Sequence, residues 1–395
     1  MGSVMSSAKL AAAVATVSLL AGCTTVTNGD ATKDPSFKPG DAIVSLLNPG
    51  NYPTAPKPGP ALKPGAETGR IFDGERMGDY VVGPWEVDPQ LLDIDATTTG
   101  LLLDAKALSS VSDDIAKKHQ FIYGFGSGRV TSAHGDHPRG LQNLVLRFPD
   151  PAAAAAAAAE FYTQDPMTHD PSAKLNVPIA GHPEAQAYQL MTPDRRFAVL
   201  VVSAHGPFVL TQYAHAEESA DISLQLATKT LDLQAARIDS FRPTDPNQFA
   251  TMKIADDELL RHTMPTTGRV INQGLWGPRG YLHFDDEPVA TSAALTEAGV
   301  DVIAIRGNHV LRARDAAAAS QLAVKLLATT PGTEPGPVVA GLPSAKCVSA
   351  ANDLIKARII ICSAAVDRWA FYASSLQPFD VTQKMASQYL LLTAK

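Results

Sequence analysis

The chain has 395 residues, of which 45% are hydrophobic and 18% are charged, and its formal net charge is −7. This length and hydrophobic content allow two or three domains with apolar cores. A net negative chain without a basic run has no bulk electrostatic attraction for nucleic acid or anionic lipid headgroups, so neither is expected as a partner.

The first 22 residues have the features of an export signal. Lys9 precedes an apolar run over 10–20 that is too short to span a bilayer. The run ends in LAGC at 20–23, which resembles the bacterial lipobox, where cleavage before the cysteine precedes attachment of diacylglycerol to its thiol. We predict lipidation of Cys23, a tether over 23–40, and a protein anchored to the cell membrane on its extracytoplasmic side. The alternative is an ordinary secretory signal with a coincidental cysteine.

A proline-rich lead-in over 41–112 follows the tether. Six prolines between positions 49 and 64 exclude a helix there and favour an extended strap. This strap either lies over its own domain or acts as a recognition arm, and we predict that the lead-in packs on the first of two repeats. Further on, apolar spacing over 70–82 predicts a short helix, and Trp85 is expected to be a buried anchor.

Three segments resemble a known group of proteins. They are GNYPTAP at 50–56, ERMGDYVVGPWEVDP at 75–89 and NQGLWGPRG at 272–280. Together they are similar to an uncharacterised family of mycobacterial and nocardial lipoproteins, and the resemblance covers most of the mature chain. It implies location in an actinobacterial cell envelope, and it implies no activity, because none is established for that family.

One phrase occurs twice in the chain. GRV at 128–130 is followed after seven residues by PRG at 138–140, and the same two triplets recur at 268–270 and 278–280. Matches extend on both sides of the phrase. A β-like run that ends in Leu-Arg, followed by an aspartate and an alanine-rich helix, also occurs once in each stretch. We therefore interpret most of the chain as one supersecondary unit that has been duplicated.

Each copy reads as helix, two strands, helix, three strands and helix. The predicted fold class is α+β, a tandem duplication of an antiparallel-sheet unit with covering helices on one face. The first copy spans 113–241 and the second spans 256–395, with a linker over 242–255.

Two segments resemble cofactor or metal sites. GFGSGR at 124–129 is similar to part of a dinucleotide-binding loop, but the required helix does not follow, so we predict a turn and no cofactor. His134, Asp136 and His137 offer metal-ligand groups. The corresponding stretch of the second copy has no histidine, so a polar loop without a metal is the favoured interpretation.

Two further groups carry acid–base residues. Ser203 and His205 would point to the same side of a strand, but no glycine-flanked nucleophile elbow surrounds the serine. His283, Asp285 and Asp286 offer acid–base groups, and a solvated loop after a strand explains them equally well. No catalytic residue is assigned.

Cys347 and Cys362 remain as a pair once Cys23 is lipidated, and an exported protein meets an oxidising environment. At an offset of 160 their counterparts in the first copy are Ala187 and Val202, which are both apolar. We therefore predict a disulfide between two neighbouring core strands, with Cα atoms within roughly 4.4–6.8 Å of each other.

Two hypotheses of different class describe the function. The favoured one is a non-enzymatic envelope lipoprotein that binds a ligand or a protein partner, and the alternative is an envelope hydrolase acting on cell-wall or lipid substrates. If the copies pack face to face, Arg139 and Arg279 would share a groove with Trp276 as an apolar wall, suited to an anionic or carbohydrate-like ligand. In the competing interpretation, each arginine pairs with carboxylates or carbonyls of its own copy.

Overall fold

The structure is a computed structural model that describes residues 41–106, 109–131, 138–164, 174–266, 272–328, 332–352 and 356–394. The predicted signal peptide, the tether and Cys23 lie outside these residues. The same holds for His134, Asp136 and His137, and for the triplet at 268–270.

The described residues form short and long helices separated by strands. The helices are α1 (Ala66–Met77), α2 (Pro84–Val87), α3 (Ser110–Lys118), α4 (Pro151–Thr163), α5 (Ala220–Ile238), α6 (Asp257–Arg261), α7 (Pro278–Leu282), α8 (Pro288–Ala298), α9 (Ala316–Ala328) and α10 (Pro378–Thr393). The 3₁₀ helices are Val44–Leu46, Gly78–Tyr80 and Pro246–Thr251. Within the described ranges, no helix is long and apolar enough to cross a membrane.

The strands follow the same chain order. They are β1 (Asp93–Ile94), β2 (Gly100–Leu102), β3 (Tyr123–Val130), β4 (Arg139–Arg147), β5 (Leu175–Asn176), β6 (Gln186–Met191), β7 (Phe197–His205), β8 (Phe208–Ala216), β9 (Gly274–Trp276), β10 (Val302–Ile305), β11 (His309–Arg312), β12 (Glu334–Pro335), β13 (Lys346–Asn352), β14 (Ala357–Val366) and β15 (Trp369–Ser375).

Capping residues begin the two alanine-rich helices. The Asp150 carboxylate accepts a hydrogen bond from the backbone N–H of Ala153 at 2.8 Å, and Pro151 occupies the first turn of α4. The Asp315 carboxylate accepts from the backbone N–H of Ala318 at 2.8 Å in the same way. Each aspartate satisfies a donor that the first helical turn leaves unpaired, so both helices begin where the sequence predicts.

The strands form two antiparallel sheets with matching connectivity. The order is β1-β3-β4-β8-β7-β6-β5 in the first sheet, where β2 also pairs with β3, and β9-β10-β11-β15-β14-β13-β12 in the second. In each sheet a pair of strands (β3–β4 or β10–β11) is followed by a helix, then by four strands of which the first has two residues, and then by a last helix that closes the unit. The second unit also has helices α7 and α8 between β9 and β10, which we did not predict. This arrangement confirms the predicted α+β duplication.

Our prediction that helices cover one face of each sheet is wrong, because both faces are covered. In β7, Val199 and Val201 belong to the apolar cluster of α5, whereas Leu200 and Val202 belong to that of α4. The second sheet lies between α9 and α10 in the same way. The run FAVLVVSA at 197–204 is almost continuously apolar, which is typical of a strand buried on both faces.

We call the described residues up to the linker at 242–255 the first half and those after it the second half; the two halves turn opposite faces of their sheets toward a shared core. The first sheet turns its α5 face inward, while the second sheet turns its α9 face inward together with α8. By chain order α4 corresponds to α9 and α5 to α10, so the halves do not present equivalent surfaces to each other. Helices α1 and α2 contribute Met77 and Trp85, which are 0% and 7% exposed. The predicted helix and the buried tryptophan are therefore confirmed.

The repeated phrase that first indicates the duplication does not mark equivalent positions. The triplet at 138–140 leads into strand β4, whereas the identical triplet at 278–280 begins helix α7. Arg147 and Arg312 do occupy equivalent positions in the two sheets. Arg147 ends β4 and pairs with the first residue of β8, and Arg312 ends β11 and pairs with the first residue of β15. Proline suits the first turn of a helix and also a strand start, so the triplet specifies neither.

Our prediction that the lead-in over 41–112 packs on the first repeat holds for β1 and β2, which pair with β3. The proline-rich strap over 43–62 instead contacts the second half. The backbone N–H of Ile43 donates to the carbonyl of Gly341 at 2.7 Å, and the Ser387 hydroxyl donates to the carbonyl of Pro53 at 2.6 Å. Prolines remove backbone donors and leave carbonyls that need partners from elsewhere. Helix α10 of the second half supplies one such partner, the Ser387 hydroxyl.

GFGSGR at 124–129 belongs to strand β3 and not to a turn, so that prediction is also wrong. A Cβ atom at Gly126 would lie 2.0 Å from the carbonyl oxygen of Thr98, and one at Gly128 would lie 2.4 Å from its hydroxyl. The glycines therefore allow the segment before β2 to approach the strand closely.

Candidate functional site

A cleft of about 400 Å³ opens on the inner face of the second sheet. This volume suits a small ligand. The α7–α8 connection and the end of α9 form its sides, together with strands β13, β14 and β15. It is lined by Tyr281, Phe284, Asp285, Asp286, Glu287, Leu326, Leu327, Ala350, Ala351, Asn352, Ile359, Ile361, Tyr372 and Ser374. We refer to this site as the acidic cleft.

Three consecutive acidic residues, Asp285, Asp286 and Glu287, line the cleft. The Asp285 carboxylate accepts hydrogen bonds from the backbone N–H of Glu287 at 2.9 Å and from the Thr291 hydroxyl at 2.8 Å, so its orientation is defined. Burial raises the pKa of Asp285, and these two hydrogen bonds oppose the increase. No lysine, arginine or histidine is among the described lining residues, while the buried Arg129 behind them offsets part of the charge of Asp285 and Asp286. Three carboxylates against this one cation leave a local potential that favours a cationic group.

A chain of hydrogen bonds runs from the acidic cleft into the protein. The hydroxyls of Tyr281 and Tyr372 lie 2.7 Å apart, and the Tyr372 hydroxyl also bonds to Nδ1 of His309. Burial raises the pKa of Tyr281, and the charges of nearby groups, including Asp285, add to the increase. Burial lowers the pKa of His309 to about 3. The imidazole is therefore uncharged at neutral pH and does not neutralise the carboxylates.

Aliphatic side chains form much of the remaining lining. Ile359 and Ile361 of β14 are partly exposed in the cleft, while Ile360 between them is buried on the α10 side. Leu326 and Leu327 at the end of α9 extend the apolar surface. Carboxylates and partly exposed apolar surface thus meet in one cavity, and this combination is suited to a ligand with a cationic group and an apolar body.

The described residues contain one serine–histidine contact between the halves, and it is sealed from solvent. The Ser127 hydroxyl lies 2.8 Å from Nδ1 of His283, and Nε2 of His283 lies 3.0 Å from the carbonyl oxygen of Gly78. Burial lowers the pKa of His283 to about 4, so the imidazole is neutral. Its Nε2–H donates to Gly78, and its Nδ1 accepts from Ser127. Because Ser127 and His283 are 0% and 1% exposed, no substrate reaches this pair.

The other residues that the sequence offers for catalysis or metal binding are not assembled either. Ser203 is 3% exposed on β7, and Nε2 of His205 lies 2.7 Å from the Asp239 carboxylate. Across the ranges that the structure describes, no group of three or more His, Cys, Asp and Glu side chains could hold a metal ion.

Arg129 joins the two halves, although it was not singled out from the sequence. Its side chain is 1% exposed and donates to the carbonyl oxygens of Leu282 at 3.0 Å, His283 at 3.2 Å and Asp285 at 2.7 Å. Its guanidinium also lies 4.7 Å from the centre of the Trp85 ring. Arg129 thereby holds the end of α7 and the segment that carries the acidic residues.

The structure does not bring Arg139, Arg279 and Trp276 together in one groove. Arg139 bonds to Glu218 and lies 3.2 Å from Asp88, within its own half, as the competing interpretation expects. Trp276 is 2% exposed and belongs to the shared core. Arg279 is exposed and lines a cleft between the halves, which Arg139 and Trp276 do not line.

The predicted disulfide joins Cys347 of β13 to Cys362 of β14. The two cysteines lie directly opposite each other in the strand register, and their Cα atoms are 4.0 Å apart, slightly closer than expected. In the first sheet Ala187 pairs with Val201, so the structural counterpart of Cys362 is Val201 and not Val202.

Sequence reasoning identified part of the acidic cleft and missed the rest. The motif HFDDEP contains Asp285 and Asp286, which were noted as possible acid–base groups. Tyr281, His309 and Tyr372 come from three distant parts of the chain, and no local spacing predicts their contact. The apolar run of β14 predicts that Ile359 and Ile361 lie on a buried strand. It does not indicate that they line a cavity.

By its fold the protein is an α+β protein of two similar domains, with a cavity of ligand size in the second domain. The chain belongs to the DUF7373 family. Residues 61–254 match the domain of unknown function (DUF7373) N-terminal, and residues 259–395 match its C-terminal counterpart. No curated protein matches the chain significantly.

Among solved structures, the chain is similar to the extracellular domain of PknH from Mycobacterium tuberculosis. The TM-score is 0.28 and the identity is 15%, with coverage of 41% of this chain and 96% of that domain. A score this low carries no argument about fold or function.

Proposed function

We propose that the protein is an extracytoplasmic lipoprotein that binds a small ligand in the acidic cleft, and that this ligand combines a cationic group with an apolar body. The observation that carries the proposal is the cavity of about 400 Å³ in which Asp285, Asp286 and Glu287 adjoin Ile359 and Ile361. Binding without chemical conversion is proposed, since no nucleophile–base pair is among the described residues that line the cavity.

Two features support a location outside the cytoplasm. The Cys347–Cys362 disulfide fits an oxidising compartment. The LAGC sequence ending at Cys23 supports attachment of a lipid, and the resemblance to actinobacterial envelope lipoproteins agrees with both features.

Replacement of Cys23 by alanine tests the anchor. We expect the Cys23→Ala protein to leave the membrane fraction and enter the medium, because the lipid is the only attachment that the proposal includes. Cell fractionation and immunoblotting of the wild type and the variant measure the distribution. If the variant still sediments with membranes after a high-salt wash, Cys23 is not the anchor.

Ligand binding is tested with three six-carbon probes that differ only in their polar group. Calorimetric titration of the full-length Cys23→Ala protein should show binding of hexylamine and no detectable binding of hexanoate, with 1-hexanol at least tenfold weaker than the amine. The expected preference arises because hydrogen bonds to charged partners in a partly buried site contribute about 1.5–3 kcal/mol, and about 1.4 kcal/mol is a tenfold change.

A matched pair of double variants locates the site. Asp286→Asn with Glu287→Gln should weaken hexylamine binding at least tenfold. Asp114→Asn with Glu217→Gln removes the same charge from exposed positions in the first half and should leave binding unchanged. Equal binding of hexylamine and hexanol, or equal affinity in both double variants, would contradict the proposal. Native mass spectrometry of protein from its own host should then identify the natural ligand.

A further inference from the structure

A second cleft lies between the halves and shares no lining residue with the acidic cleft. It consists of two adjoining cavities of about 480 and 260 Å³, both lined by Arg279, Leu282 and Ser292. The first half contributes Tyr80 to the larger cavity and Trp85 to the smaller one. We call this site the Arg279 cleft, and clefts between domains are a common place for ligands.

The polar groups of the Arg279 cleft have unused hydrogen-bonding capacity. Arg279 is exposed, and among the described residues no side chain or carbonyl accepts a hydrogen bond from its guanidinium. Ser292 and Thr296 lie one turn apart on α8 and line the same cleft, and their hydroxyls likewise have no partner within the described ranges. A guanidinium and two hydroxyls are therefore available to one ligand.

The two carboxylates at the Arg279 cleft have hydrogen-bond partners of their own. Asp79 accepts a hydrogen bond from the backbone N–H of Gly280 at 2.7 Å, and burial raises its pKa, while the charge of Arg279 opposes that increase. Glu86 forms a two-point ion pair with Arg237, with N–O distances of 2.6 and 2.8 Å. Within the part of the chain that the structure describes, Arg279 forms no salt bridge, although its charge acts on the nearby Asp79. Glu86 contributes little negative potential because its charge is already paired.

We propose that the Arg279 cleft binds an anionic sugar, through a carboxylate or a phosphate on a hydroxylated ring. The guanidinium of Arg279 offers two parallel donors that match the oxygens of either anion. Ser292 and Thr296 bond to ring hydroxyls, and Leu282 and the edge of Trp85 provide the apolar wall. This proposal is independent of the acidic cleft, because it involves an opposite ligand charge and different residues.

Calorimetric titration of the full-length Cys23→Ala protein with glucuronate, glucose 6-phosphate and glucose tests the proposal. We expect at least one of the two anions to bind and glucose to bind at least tenfold more weakly. Arg279→Gln should weaken anion binding at least tenfold. Arg261→Gln, at a partly exposed arginine that pairs with Glu258 of its own helix, should not change it. Circular dichroism should show that both variants are folded.

Each pattern of results has a defined meaning. Binding of glucuronate alone identifies a sugar acid, and binding of glucose 6-phosphate alone identifies a sugar phosphate; both support the site if Arg279→Gln reduces the affinity. A double Ser292→Ala, Thr296→Ala variant should weaken the binding of either sugar anion more than that of inorganic phosphate. The proposal is overturned if neither anion binds, or if folded Arg279→Gln binds as tightly as Arg261→Gln.

Discussion

The two halves differ in side-chain volume at equivalent positions of one sheet face. In the first sheet Leu200 pairs with Tyr213, and in the second Ile361 pairs with Ser374 at the same place in the register. Tyr213 packs against the cluster of α4, whereas Ser374 lines the acidic cleft. A large aromatic side chain thus occupies space that remains open in the second half.

At a neighbouring pair of positions the large and small side chains change places. Leu190 pairs with Ala198 in the first sheet, and Ala350 pairs with Ile359 in the second. Leu190 packs against the cluster of α4, while Ala350 lines the cleft. This pair conserves its total volume, so the volume is lost at Ser374, and such a loss leaves a cavity when the surrounding backbone does not collapse. The comparison teaches that a duplicated framework gains a cavity where a small residue replaces a large one on a single face.

The halves also differ in how an equivalent arginine is paired. Arg147 is buried and bonds to Asp73, which is 0% exposed, at 2.9 Å. Arg312 lies at the matching position and pairs with Asp256 and Asp301, whose side chains are 29% and 55% exposed. Arginines at equivalent positions therefore form a buried ion pair in the first half and solvent-exposed ion pairs in the second.

The largest expected effect on stability comes from removing the aspartate that pairs with each of these two arginines. Asp73→Asn should lower the free energy of unfolding by about 3–5 kcal/mol, because it leaves Arg147 buried without its charge partner. Asp256→Asn should lower it by no more than about 1 kcal/mol, since Arg312 retains Asp301 and solvent screens the pair. Urea denaturation of both variants at neutral pH measures the difference. Equal losses would show that the two halves do not differ in this respect.

The contact between the halves is probed through Glu75 on α1, which accepts a hydrogen bond from the backbone N–H of Leu275 on β9 at 3.2 Å. Burial raises the pKa of Glu75 from 4.5 to about 8. The folded protein therefore keeps a proton that the unfolded chain loses, so stability falls as pH rises from 4.5 to about 8.

Glu75→Gln removes this dependence. Relative to the wild type, the free energy of unfolding of the variant should increase by about 1.4 kcal/mol for each pH unit in that window and then level off. Unfolding curves at several pH values between 5 and 9 provide the test. A constant difference between the two proteins would mean that Glu75 ionises normally in the folded state.

A smaller effect is expected when the second half is made to resemble the first. Ser374→Tyr copies Tyr213 and should fill the acidic cleft, so the affinity for hexylamine should fall at least tenfold while the unfolding free energy changes by less than about 1 kcal/mol. Tyr213→Ser changes the first half instead and should leave hexylamine binding unaltered. Retained affinity in folded Ser374→Tyr would place the amine outside the cleft.

Short-range patterns in the sequence predicted several parts of the fold correctly. Asp150 and Asp315 mark helix starts because capping depends only on residues within one turn. The long strands and the helices that follow them were predicted from apolar periodicity, and the cysteines at 347 and 362 were predicted as a bridge between strands. The triplet shared by 138–140 and 278–280 was misleading, since proline is compatible with both a strand start and a helix start.

The sequence alone therefore determined the starts of the two alanine-rich helices and the duplicated α+β architecture, because these depend on local periodicity and capping. It did not predict α7, α8 or the short strands β5 and β12. Only the tertiary structure decided which face of each sheet turns inward, since strands that are apolar on both sides carry no mark of which helix will cover which face. The acidic cleft has the same origin. Its carboxylates are local in sequence, but Tyr281, His309 and Tyr372 meet through packing between distant elements, which no spacing along the chain encodes.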